Sequence, residues 1–176
     1  MSFKFQNDSN VSINIAVSNG GVIYFHKNRL KPGQTWKCKP AWVWYDVMVF
    51  WSTPDNKINP AKHNTLRIGT LAATSVGAAL AVGAIAFTGG AATPAVVVAG
   101  ASVAAGLTGV AFEVANAALN PAHLTALYGV DNYNIQIKGG FDGHIDNQIL
   151  TVSRIKPLQL HWKNKTSGSS GVVKAK

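Results

Sequence analysis

The run GGFDGHIDN places Asp142, His144 and Asp146 at alternate positions, which could bring two carboxylates and an imidazole to one side of an extended loop. This trio is the nearest approach to a ligand set in the chain. A metal site normally needs more ligands, and Asp-Gly is ordinary turn vocabulary, so no metal is expected there. The chain has no GKS/T loop, no H-E-x-x-H and no G-x-S-x-G. Cys38 is the only cysteine, which removes both a paired zinc site and an intrachain disulfide. The seven acidic residues form no obvious pair with a histidine outside that loop. The expectation is a protein that is not an enzyme and needs no cofactor.

The remaining chemistry is charge and aromatic surface. Sixteen Lys and Arg against seven Asp and Glu give a net charge of +9, which suits nucleic acid, anionic lipid or acidic glycan. No compact basic helix or base-stacking motif accompanies the charge, so nucleic acid is not expected. Five tryptophans lie at 36, 42, 44, 51 and 162. Alternation puts Trp42 and Trp44 with Met48 and Phe50 on one strand face, and Tyr45 and Trp51 on the other, as core positions. Trp36 and Trp162, flanked by Lys37 and Lys163, are the expected exposed docking residues.

The elements that must position these residues read as β on both sides of an apolar insert. In VSINIAV, Val11, Ile13, Ile15 and Val17 alternate with Ser12 and Asn14, the period of a half-buried strand. Asn19-Gly20-Gly21 turns the chain into VIYFHK, and Lys31-Pro32-Gly33 marks the next turn. AWVWYDVMVFW, apolar on both faces, suits a central strand. Tyr133, Ile135 and Ile137 alternate with polar residues in NYNIQIK, and QILTVSRI and LQLHWK continue the pattern. About seven or eight short strands suggest an antiparallel β-sandwich or small barrel. The expected fold class is α+β, with residues 1–63 and 121–165 as two halves of the β domain, 64–120 as an insert and 166–176 as a flexible basic tail.

Residues 68–112 carry none of the charges, and no Asn, Gln or His. Their alanine content predicts helix, yet each interior glycine costs about 1 kcal/mol relative to alanine. The small residues fall in register. Gly69, Ala73, Gly77 and Ala81 form one ridge, with Gly83 just beyond it, and Ser102, Gly106 and Gly109 form another. Such ridges let two helices approach closely. Gly89 and Gly90 end the first arm and Pro94 opens the second, which predicts a helical hairpin over 64–88 and 94–119. Each arm has roughly 20 apolar positions, about 30 Å of helix, the thickness of a bilayer core. Arg67 and Glu113 would then face each other at the open end.

Ala72–Phe87, the TGGAATP turn and Ala95–Ala111 resemble the hydrophobic helical hairpin of pore-forming toxins of the colicin type, over about a quarter of the chain. The β flanks are similar only in outline to small β-sandwich cytolysins. The resemblance implies a hairpin that inserts spontaneously from a water-soluble form. The expected function is therefore a membrane-active protein: a β domain docking on an anionic bilayer, with the insert entering it and several copies assembling through the small-residue ridges. A self-assembling structural protein and a sugar-binding module are the competing expectations. MSFKFQNDSN has no apolar core of a secretory signal, so cytoplasmic synthesis with membrane association, or release without a classical leader, is expected.

Overall fold

Strand periodicity is realised as two sheets packed face to face. The computed structural model describes residues 1–52, 57–63, 95–97, 121–146 and 149–175. The chain runs through β1 (Ser2–Asn7), β2 (Ile13–Asn19), β3 (Val22–Leu30), β4 (Thr35–Cys38), β5 (Trp44–Trp51), the single turn α1 (Pro60–His63) and β6 (Ala95–Val97). It continues through β7 (Ala122–Tyr128), β8 (Asn132–Asp146), β9 (Ile149–Asn164) and β10 (Ser170–Lys174). One sheet has the order β10-β9-β8-β1-β4, with β6 added to β9; the other is β3-β2-β5-β7. Most pairs are antiparallel, but β1 runs parallel to β8, and β6 parallel to β9.

These observations correct the expected α+β class. Among the described residues the protein is nearly all β, and α1 is the one helix. Within the expected second helical arm, Ala95–Val97 is a strand paired with Ile149–Thr151. The reason is local: Val96 and Val97 are β-branched, lose side-chain freedom in a helix and suit a pleated surface. The rest of that expected hairpin lies outside the described residues. The C-terminal segment also differs from expectation, because Ser170–Lys174 pairs with Gln159–Lys163 as an edge strand.

The core lies between the sheets. Phe3 and Phe5 of β1, Ile135 and Ile137 of β8, and Leu158 and Leu160 of β9 meet Ile13, Ile15 and Val17 of β2 and Val47, Val49 and Trp51 of β5. Phe3 links the layers by edge-to-face contacts with Tyr45 at 5.9 Å and Tyr133 at 5.3 Å. A second cluster covers part of the opposite face of the four-stranded sheet, where Ile58 packs with Ala16, Ile23, Met48 and Phe50. Asn28 fixes that covering segment by exchanging two hydrogen bonds with the Ile58 backbone, at 2.8 and 2.9 Å.

Three Asn-x-Ser/Thr sequons occur, and the fold uses the carboxamide of each. Asn7 is fully buried; its Nδ2 donates to the carbonyls of Val11 and Leu30, both at 2.8 Å, and its Oδ1 accepts from Ser9. Asn164 donates to Asp131 and accepts from the Thr166 and Ser167 amides, closing the turn into β10. Asn10 holds the backbone of Phe141 from both sides, where β8 bends at Gly139 and Gly140. Gly140 has φ +112°, and a Cβ there would come within 1.9 Å of Asn10 Oδ1, so glycine is required. Beyond this bend β8 and β9 continue as a ribbon past the end of β1, with β6 added along β9 at Ile149–Thr151.

Cys38 closes the core beneath β4, and burial pushes its thiol up to about 12. The unfolded chain releases this proton near 9 and the folded chain near 12, so the stabilisation is complete below pH 9 and is lost as pH rises towards 12. The denaturation midpoint should therefore fall between about pH 8 and about pH 10.5 by more in the native chain than in a Cys38→Val variant. Equal falls in both would remove the thiol as the cause.

Candidate functional site

Register decides where the expected docking residues stand. The row Trp36, Phe5, Ile135, Trp162, Gly171 crosses the larger sheet on its inner face. Trp36 stacks on Phe5 with ring centres 5.2 Å apart, and Trp162 packs near Tyr133 at 6.2 Å. Both indoles are half-buried against the core, not free platforms. Their neighbours Lys37 and Lys163 point the other way and are exposed. Arg67, Gly69, Ala73, Gly77, Ala81, Gly83, Gly89, Gly90, Pro94, Ser102, Gly106, Gly109 and Glu113 all lie outside the described residues. Asp142, the first residue of the alternating trio, pairs with Lys156 on the β8–β9 ribbon, in a strand where the sequence suggested a loop. Among the described residues no three His, Cys, Asp or Glu side chains gather as a metal site.

The outer face of the same sheet is basic. One row joins Lys37, Lys4, Asn134, Lys163 and Ser170; the next joins Thr35, Gln6, Gln136, His161 and Val172. From Lys4 and Gln6 across to Ser170 and Val172 the two rows line a groove of about 420 Å³ with no acidic residue in its wall, Lys37 and Thr35 lying outside it. Gly171 lets β10 lie over Trp162, since a Cβ there would come within 2.9 Å of the indole Nε1. Pairing of β1 with β8, two strands far apart in sequence, brings Lys4 and Gln6 beside Asn134 and Gln136.

A second surface lies at one end of the sandwich. β1 and β8 begin there, β2 and β4 end there, and β5 begins there. Every exposed large hydrophobic side chain among the described residues except Val172 falls at this end: Met1, Val22, Tyr24, Trp42, Val43 and Trp44. Trp42 is 72% exposed and Trp44 57%. Trp44 lies 4.8 Å from the Tyr128 ring, and Lys39 and Lys165 stand exposed on neighbouring turns. The Trp42 loop is firmly held. The Ala41 amide donates to the Tyr45 hydroxyl at 3.1 Å, and the Gly129 amide donates to the Val43 carbonyl at 2.9 Å. Gly129 also leaves room for the Ala41 carbonyl, which a Cβ would meet at 1.8 Å.

The sequence placed Trp44 on the same strand face as Met48 and Phe50, and that shared parity is correct. The difference is cover: Ile58 packs over Met48 and Phe50, while Trp44 lies beyond its reach. Pro40, two residues before Trp42, was the available sign that the strand starts late, because proline cannot donate to a ladder.

The apolar segment is rooted at the opposite end. β5 and β7 are antiparallel neighbours with Val49 opposite Ala122, so residues 52–121 connect adjacent strands. Among the described residues no helix is long and apolar enough to cross a membrane. Comparison with protein families, curated proteins and solved structures gives no match.

Proposed function

We propose that this is a membrane-active protein: its β-sandwich docks on an anionic bilayer through the aromatic end, and its uncharged segment 68–112 then enters the lipid once Ala95–Val97 parts from β9. The gathering of Trp42, Trp44, Tyr24, Val22, Val43 and Met1 on one end, beside Lys39 and Lys165, carries the reading. Contiguous apolar patches are rare on soluble monomers, and Trp with Tyr is the pairing favoured where one end of a side chain is dry and the other wet. Lysines around the rim add attraction to anionic headgroups of about 1 kcal/mol each.

The sequence of segment 68–112 supports the second step. It holds no charge, so its transfer from water to lipid carries no ionic desolvation, and each Å² of apolar area removed from water contributes about 25 cal/mol. Its root lies at the far end of strands about 25 Å long. The segment's own 45 residues far exceed that distance in contour length, at about 3.3 Å per residue.

Vesicles loaded with a self-quenching dye test the whole reading. Binding and dye release from vesicles containing anionic lipid are expected, with weaker binding to neutral vesicles. No co-sedimentation and no release with either composition would overturn it. A large assembly in buffer that ignores both vesicle types would instead indicate the self-assembling protein.

A further inference from the structure

The basic groove lies on the outer face of the larger sheet, while the aromatic residues cluster on the adjoining end, so the two present different surfaces. We infer that this groove binds a linear acidic oligosaccharide. Three features carry the assignment. First, Lys4 and Lys163 stand on strands two apart, so their stems are about 10 Å from each other, with Asn134 between them. No acidic side chain in the groove wall offsets them. Second, Gln136 and Asn134 present carboxamides that both donate and accept, which is the chemistry that reads sugar hydroxyls. Gln6, whose Nε2 donates to Asp8 at 2.8 Å, adds its carbonyl oxygen. Third, the surface is concave, so it receives a chain lying along it, whereas a bilayer is a plane.

Val172, exposed on this outer face, adds apolar contact along one wall, suited to the C–H face of a pyranose ring. Single-stranded nucleic acid shares the charge but needs free aromatic faces for its bases. Trp162, the aromatic residue of this wall, turns its indole to the inner face against Tyr133 and offers no such face. The carboxylates or sulfates of the glycan would pair with the lysines, and binding would weaken as salt rises.

Calorimetric titration of the full chain with a sulfated hexasaccharide, a neutral hexasaccharide and a single-stranded oligonucleotide of equal charge tests this. The sulfated chain should bind, at least tenfold more tightly than either of the others. Lys4→Gln with Lys163→Gln should lower that affinity at least tenfold and lower vesicle binding by much less. Gln136→Ala, which keeps the charge, should lower it several-fold. Circular dichroism and thermal melting of each variant report its folding, and these side chains lie outside the core, so native-like melting is expected. The inference is overturned if the sulfated chain fails to bind, if the oligonucleotide binds as tightly, or if Gln136→Ala has no effect. It is also overturned if the lysine pair affects vesicles in place of the glycan. Loss of the membrane reading alone would leave it standing.

Discussion

Replacing Trp42 and Trp44 together by alanine should weaken binding to anionic vesicles by more than about 100-fold, with the protein still folded. The two indoles are 72% and 57% exposed, so most of their area lies outside the folded packing, and Trp44 keeps a contact with Tyr128. A tryptophan can bury 150–250 Å², and if only about 120 Å² of the exposed pair leaves water on docking, the loss is about 3 kcal/mol. The loop is preorganised by Tyr45 and Gly129, so little entropy is spent in presenting Trp42. Trp36→Ala supplies the contrast. That ring stacks on Phe5 and supports the core, so its removal should lower the melting temperature while the surviving folded protein still binds vesicles. Co-sedimentation with vesicles of graded anionic content reads both. Vesicle affinity unchanged in the double variant would rule out the aromatic end as the docking surface.

Asn7→Ala should destabilise the fold by about 4 kcal/mol. In the native chain this one carboxamide joins the turn after β1 to the end of β3, through the Val11 and Leu30 carbonyls. It also orders Ser9, whose amide and hydroxyl donate to Oδ1. The site is dry, with Asn7 fully buried and Val11 and Leu30 nearly so. Removing the side chain leaves the Leu30 carbonyl and the Ser9 amide without this partner, at about 1–3 kcal/mol for each unsatisfied group. The Val11 carbonyl keeps the Ser9 hydroxyl at 3.1 Å. That sum is a large share of the 5–15 kcal/mol typical of a domain. Asn10→Ala removes two bonds at an exposed position where water replaces them, so its cost should stay near 1 kcal/mol. Urea denaturation with unchanged m-values gives both numbers. Similar midpoints for the two variants would show that burial does not govern the Asn7 network.

Much of the β framework was legible because strand burial writes a period of two into the chain. Ile13, Ile15 and Val17, and Tyr133, Ile135 and Ile137, are inward in the structure for the reason their alternation suggests. The Asn-Gly-Gly turn was equally readable, since Gly20 and Gly21 both adopt positive φ. The α+β class failed at Ala95–Val97. There alanine and proline signals favoured a helix start, while a valine run and a partner strand more than fifty residues later decided for β. Trp36 and Trp162 were misread for a related reason. Adjacent lysines suggested exposure, but in a strand the neighbour of an exposed residue faces the opposite side.

By itself, then, the amino-acid order determined which side chains share a strand face, where the chain turns, and that residues 68–112 carry no charge. Only the tertiary structure decided which faces are covered. Trp44 and Phe50 have the same parity on β5, yet one is open to water and the other lies under Ile58. The basic groove likewise exists because β1 pairs with β8, bringing Lys4 and Gln6 to Asn134 and Gln136 across most of the chain. The physical reason is one of range. Side-chain direction follows from backbone geometry within a few residues, whereas cover and juxtaposition follow from contacts between distant segments, whose register is chosen by the whole core.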